Sequence, residues 1–295
     1  MSNNLLIAIL AGLGAMLGWG IADFFAKKTI DRIGDVVSLF WAQFLGIFPL
    51  IAIFLITQRQ FPELTGREPL MLILLGVFSG LTYIPIYMAF GKGKLSIVSP
   101  IFASYAVVVA LLSATLLHES LTSQQQVAIV VVFVGILLIS TSPAEVLGLI
   151  RSRSKHKTAG LPEILLAVFT YSFWLIAFYQ FLNGKDWVPV LLAIRVLSTL
   201  SLGVYAFATG RKLFFKDKTV WKFLPIIGLF DVGAFAALSY GYSATTHVAI
   251  ITVLSATFSL PTIILARMFL KERVTALQTL AALTILIGVA LVSAG

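Results

Sequence analysis

Glu119-Ser120-Leu121-Thr122-Ser123-Gln124-Gln125 and, 153 positions further on, Glu272-Arg273-Val274-Thr275-Ala276-Leu277-Gln278 are the two stretches that decide the fold. Each is a short polar break between long apolar runs, and each keeps glutamate, threonine and glutamine at one spacing. The same offset carries Gly80 onto Gly233, Tyr87 onto Tyr240, Ile97 onto Ile250, Gly135 onto Gly288 and Ser140 onto Ser293. Apolar coincidences between lipid-facing segments arise easily, but a shared Glu-x-x-Thr-x-x-Gln does not. The chain reads as an internal duplication.

Within each break, Thr122 with Gln125 and Thr275 with Gln278 have capping-box spacing. The hydroxyl serves an orphan amide of the next helix, and the glutamine reaches back to the threonine amide. Glu119 and Glu272 lie just before those helix starts, where the positive end of the helix dipole favours an anion. A structural role at the hairpin is the primary reading of both acids, with a substrate or proton role as its alternative.

The flanking runs are membrane spans. Of 295 residues 59% are hydrophobic and 11% charged, and the mean hydropathy is +1.02. A soluble domain carries roughly a quarter charged residues, so lipid is the solvent that fits. Spans of about 20 residues at about 1.5 Å rise cross a hydrocarbon core of roughly 30 Å. Ten segments meet that length: 4–25, 36–57, 69–90, 96–117, 124–141, 161–182, 187–209, 219–242, 248–270 and 276–294. Helices are predicted throughout, because lipid leaves no backbone group unpaired and no run alternates with period two. The first run, 5–26, lacks the basic start of a signal peptide and is expected to remain as a helix.

The longest break, 142–160, holds Arg151, Arg153, Lys155, His156 and Lys157. It separates a first repeat, 1–141, from a second, 161–295. Sixteen of the 21 Lys/Arg fall in or beside the breaks after spans one, three, five, seven and nine, whereas Arg59, Arg67 and Lys185 fall on the other side. The positive-inside rule then puts both termini outside and the linker in the cytoplasm of a cell membrane, plasma or bacterial inner. Basic breaks follow the first and third spans of one repeat but the second and fourth of the other. The expected fold is therefore all-α integral membrane, with ten transmembrane helices in two inverted five-helix repeats.

Several function classes drop out. The net charge of +9 faces headgroups in short breaks rather than forming a stripe for nucleic acid. The absence of cysteine removes disulfides and thiolate metal sites, and no metal or cofactor motif is found. His-Glu-x-x-His, Gly-x-Ser-x-Gly, P-loop and dinucleotide signatures are missing as well, so an enzyme is not expected and ATP cannot drive movement through this chain.

The paired Glu-x-x-Thr hairpins, the Leu17-Gly18-Trp19-Gly20 segment of span one and the ten-span count resemble the EamA-like branch of the drug/metabolite transporter superfamily. The resemblance covers essentially the whole chain and is nearly silent about substrate. It implies a secondary transporter of a small polar metabolite, an amino acid or similar solute, working in the export direction by alternating access and coupled to protons or to exchange. It further implies a central cavity lined by spans one, three, four, six, eight and nine, with five and ten peripheral. A lipid-linked-group flippase of the same superfamily is the alternative, followed by a membrane receptor or scaffold. The partners expected are a small solute and the bilayer, and a homodimer is compatible with this organisation.

Polar residues inside spans are costly in lipid and mark candidate sites. Asp231 lies about eleven residues into span eight, roughly 16 Å deep, and Arg195 about eight residues from the opposite face of span seven, roughly 12 Å. Antiparallel neighbours at such depths can pair, as a static ion pair or as a substrate or proton site. Asp23 is either an i,i+4 partner of Lys27 or an acid at the cavity mouth with Trp19 on its face. Arg267 is placed to snorkel from span nine. His247 opens that span on the outer side, as a cap or a proton group. Tyr83 with Tyr87, and Tyr171 with Trp174, share helix faces and could line a polar cavity; Tyr240 is the repeat partner of Tyr87.

The orientation has a direct test. With single cysteines introduced into this cysteine-free chain, an impermeant maleimide applied to intact cells is expected to label position 293 and spare position 155. Labelling of 155 alone contradicts the assignment.

Overall fold

The structure, a computed structural model, describes residues 3–116, 122–140, 159–245, 251 and 254–294. Glu119, His247 and nearly all of the 142–160 linker therefore lie outside the described residues. Among the described residues every regular element is helical. In chain order these are α1 (Asn3–Ile33), α2 (Asp35–Ile56), α3 (Glu68–Lys92), α4 (Leu95–Ala103), α5 (Tyr105–Leu116) and α6 (Ser123–Ser140). They are followed by α7 (Leu161–Leu182), α8 (Trp187–Ala208), a 3₁₀ turn (Lys218–Lys222), α9 (Leu224–Ala244), α10 (Ser259–Phe269) and α11 (Ala276–Ala294). Among the described residues six helices, α1, α2, α3, α7, α8 and the one that ends in α9, are long and apolar enough to cross a membrane, and shorter apolar helices accompany them.

The run expected as span four is two helices, not one. Ser104 separates α4 from α5, with its amide hydrogen-bonded to the Ile101 carbonyl at 3.1 Å and its hydroxyl donating to the same oxygen at 2.6 Å. A three-residue closure of this kind tightens the helix and interrupts its ladder. Pro100, which supplies no amide, weakens the preceding turn. Just before α10, Thr257 repeats the arrangement: its amide meets the Leu254 carbonyl at 3.3 Å and its hydroxyl the same oxygen at 2.8 Å. Thr257 follows Ser104 by the same 153 positions.

Outside the main bundle, α6 and α11 lie against each other. A Cβ on Gly135 would meet Ile285 Cγ1 at 2.7 Å and the Ala281 carbonyl at 3.2 Å, while one on Gly288 would meet Val132 Cγ2 at 2.5 Å and the Ala128 carbonyl at 3.1 Å. Both glycines are needed for close backbone approach. The two contacts exchange into one another under the 153-residue offset, as contacts across a two-fold axis do.

Ion pairs mark two opposite ends of the bundle. Arg32–Asp217 (2.9 Å) and Lys92–Glu163 (2.5 Å) lie at one, Glu68–Lys185 (2.6 Å) and Arg59–Asp186 (2.9 Å) at the other. Donation from the Thr219 hydroxyl, with the Arg32 guanidinium behind it, holds the Asp217 carboxyl below its usual range. Between these ends the largest buried side chains, Phe90, Leu39, Ile101, Ile164, Ile194 and Leu202 among them, form the core.

Both capping boxes are formed. Thr122 N donates to Gln125 Oε1 at 3.0 Å and Gln125 N to the Thr122 hydroxyl at 3.2 Å, with the matching distances 3.1 and 3.2 Å at Thr275 and Gln278. Glu272, expected at the start of its own following helix, serves a different one. Its carboxylate accepts from Leu95 N (2.8 Å) and Ser96 N (2.9 Å), the first amides of α4, beside which Lys94 Nζ donates to the Arg273 carbonyl. Spacing alone points the acid forward along the chain; the tertiary fold brings a more distant N-terminus to it, where two orphan amides and the dipole satisfy it together.

Glu272→Gln keeps the shape but removes the charge from two hydrogen bonds and replaces one of the two acceptor oxygens by an NH2 donor facing a backbone amide. Such bonds are worth about 1.5–3 kcal/mol each when charged, so the variant is expected to melt several degrees lower and to accumulate in smaller amounts. Thermal unfolding of the detergent-purified variant checks this; an unchanged melting temperature contradicts it.

Candidate functional site

Two glycines set the site. Gly46 of α2 and Gly228 of α9 touch so closely that a Cβ on Gly228 would sit 2.7 Å from Gly46 N. One helical turn from that contact, Gln43 on α2 and Asp231 on α9 face the same point, and Arg195 from α8 fills it. Arg195 Nη2 is 2.5 Å from Asp231 Oδ2, and Nη1 donates to Gln43 Oε1. The side chains of Arg195 and Asp231 are 5% and 14% exposed, so water screens this pair poorly. The depths read from sequence placed both groups near mid-span, and here they meet.

The ion pair borders a chamber between the helices. Trp19 and Asp23 of α1, Tyr83 and Tyr87 of α3, Tyr171 of α7 and Phe258 near α10 complete its wall, with Phe102 and Tyr105 from either side of the Ser104 break. The i,i+4 spacing of Trp19 and Asp23, and of Tyr83 and Tyr87, turns each couple toward the same space. Tyr171 meets Tyr83 edge-on at 6.0 Å and Tyr105 at 5.1 Å. The cavity volume is about 40 Å³. A water needs about 10–15 Å³ on this scale, so the chamber has room for a few waters, and a metabolite requires the helices to part.

Other candidates fall elsewhere. Lys27 pairs with Asp31 at 2.9 Å rather than with Asp23, which faces the chamber instead. The i,i+4 rule fits either acid equally, and packing makes the choice. Trp174 is not in the chamber wall itself but lines a small adjoining cavity with Gln43, Tyr83 and Arg195; its Nε1 donates to the Leu75 carbonyl at 2.9 Å, and its other side borders an apolar groove. Tyr240 is 57% exposed and on a different face of α9 from Asp231, two and a half turns away. Arg267 reaches Thr279 Oγ1 at 2.5 Å at the bundle edge.

Sequence reading missed Gln43, Phe102, Tyr105 and Phe258. Gln43 carried a usable signal, as an amide in the middle of the apolar run Phe40–Leu50; the three aromatics did not stand out among 23 Phe and eight Tyr. The resemblance left spans two and seven outside the cavity lining, whereas α2 and α8 contribute Gln43 and Arg195. The reason is the Gly46–Gly228 contact, which draws α2 inward.

The family model described as EamA-like transporter family matches the chain twice, over 6–141 and 158–294. An uncharacterized protein of Methanocaldococcus jannaschii is 29% identical over 135 residues, which are 46% of this chain but 97% of that one. A solved crystal structure of a protein superposes with a TM-score of 0.67 at 15% identity, covering 96% of this chain and 95% of the other. That likeness concerns the fold alone.

The buried pair makes a stability prediction. Removing one partner leaves a charge in low dielectric and costs about 3–5 kcal/mol, while removing both leaves none. Arg195→Gln and Asp231→Asn are each expected to lower the melting temperature strongly, and the double variant to recover most of the loss. Additive losses in this cycle contradict direct coupling.

Proposed function

The chain belongs to the EamA-like transporter family, and we propose that it carries a small polar solute by alternating access through the chamber at Arg195 and Asp231. Membership makes it a multi-pass membrane transporter rather than an enzyme. The buried ion pair at the meeting point of α2, α8 and α9 carries the rest of the reading. A charge pair in lipid is retained where charge has to move or be recognised.

A solute carboxylate, as on an amino acid, competes with Asp231 for the Arg195 guanidinium. Asp231, deprived of its counter-ion, can then take a proton in its place. Release of the solute reverses the exchange, so solute and proton share one site. Because solute and proton are then carried together, an inward proton gradient drives uptake, and export by the same cycle draws on the solute's own gradient or on a counter-solute.

The architecture behind this cycle is ten spans in two inverted repeats, 1–141 and 161–295, joined by a cytoplasmic linker, with both termini outside a cell membrane. Supporting the duplication are the twofold family match, the half-length relative, the equivalent helix breaks at Ser104 and Thr257, and the exchangeable glycine contacts of α6 and α11, while the orientation rests on the asymmetry of the basic breaks. Repeats of this kind rock about a shared site.

The flippase reading draws on the side groove between α3 and α7, an apolar space of about 580 Å³ lined by Phe78, Phe173 and Pro85 among others. Trp174 closes it off from the interior, which favours the solute carrier.

In liposomes under an imposed pH gradient, Asp231→Asn reconstituted below its lowered melting temperature, at matched amounts of folded protein, is expected to lose gradient-driven uptake while keeping solute-for-solute exchange. Normal gradient-driven uptake by the variant excludes Asp231 as the coupling group.

A further inference from the structure

We infer that Asp23 is an anchor for the positively charged head of an organic amine, held in the aromatic part of the chamber. The inference rests on the chamber's being the solute site but not on the proton exchange at Asp231. Its starting point is an acid without a counter-ion. Two carboxylates, Asp23 and Asp231, line the chamber, and one cation, Arg195, faces them. That cation is already engaged, through Nη2 with Asp231 and through Nη1 with Gln43.

Asp23 has no such partner. Its Oδ2 is sealed from solvent, and no hydrogen-bond donor reaches it. Lys27, one turn along α1, is turned away to Asp31 and to the Gly91 carbonyl. The polar groups that the neighbouring helices offer at the chamber are Gln43 from α2, Tyr83 and Tyr87 from α3, Tyr105 from α5, Tyr171 from α7, Arg195 from α8 and Asp231 from α9. None of them brings Asp23 a free positive charge. A buried carboxylate oxygen with neither donor nor cation is costly, and such a group is kept where a ligand completes it.

The surroundings specify the ligand's chemistry. Trp19 shares the face of α1 with Asp23 and is held edge-on by Phe235 at 5.2 Å and Phe258 at 6.1 Å. Tyr83, Tyr87 and Tyr171 close the remaining sides. Aromatic faces around one carboxylate are the combination that recognises ammonium groups, because ring quadrupoles attract a cation without forming hydrogen bonds to it. A solute with only anionic groups would meet two acids there, whereas an ammonium group sets its charge on Asp23 and its body among the rings, and a carboxylate on the same solute can still reach Arg195.

The test uses choline and its uncharged isostere 3,3-dimethylbutan-1-ol, titrated calorimetrically into the full chain in lipid nanodiscs. Choline is expected to bind saturably and at least tenfold more tightly than the isostere. Asp23→Asn is expected to abolish that preference and Asp23→Glu to retain it; should Asp23→Asn fail to fold, Trp19→Leu is expected to weaken choline binding at least fivefold. Equal affinity for the two probes, absence of choline binding, or an undiminished preference in Asp23→Asn or Trp19→Leu overturns the assignment. Since no transport is measured, any of these results leaves the Asp231 coupling scheme to its own liposome test, and failure of that scheme leaves choline binding standing.

Discussion

The Arg195–Asp231 ion pair can exist in a lipid-embedded bundle only because its surroundings satisfy both groups at once. Desolvating each ion costs several kcal/mol, and their mutual attraction offsets this only in good geometry with additional hydrogen bonds. Here the carboxylate takes one guanidinium nitrogen and Gln43 takes the other. Both acceptors depend on the Gly46–Gly228 contact, which leaves no room for a side chain between α2 and α9. A substitution at either glycine acts on the charge pair through backbone spacing, without touching a charged atom.

Around this centre the fold divides its tasks. The α6–α11 contact lies away from the chamber and contains no charged residue at its glycine seam, which suits a static rim. The helices that line the chamber are interrupted instead, at Ser104 and before α10 at Thr257, with a hydroxyl closing the turn in each case. Phe102, Tyr105 and Phe258 stand beside those breaks and form part of the chamber wall. In the proposed cycle, helices that must bend are thus weakened next to the residues that must move. The present chamber, too small for a metabolite, represents a closed arrangement in that cycle.

Much of this was legible in the residues because lipid simplifies the code. Apolar runs had to be helices, and their ends at α7 and α11 agree with the sequence reading to the residue. Capping boxes are local, so Thr122, Gln125, Thr275 and Gln278 could be assigned from spacing alone. Asp231 and Arg195 stood out because few charges lie deep in these spans. What could not be read was anything depending on which helix lies beside which. Glu272 found the start of α4 rather than its own helix, Asp23 turned from Lys27 to the chamber, and Trp174 became a wall residue through its bond to Leu75. The break at Ser104 was hidden because a serine and a nearby proline in an apolar run are compatible with a bent but continuous helix.

The central claim is that one guanidinium is shared in turn by Asp231 and by the carried solute, with a proton replacing it on the acid. Infrared difference spectroscopy of the protein in lipid reads this directly, since a protonated carboxyl absorbs apart from a carboxylate. Addition of a solute bearing a carboxylate should raise a protonated-carboxyl band that is missing from Asp231→Asn. Saturable binding of such a solute with no new carboxyl band, or with a band that persists in Asp231→Asn, contradicts the claim.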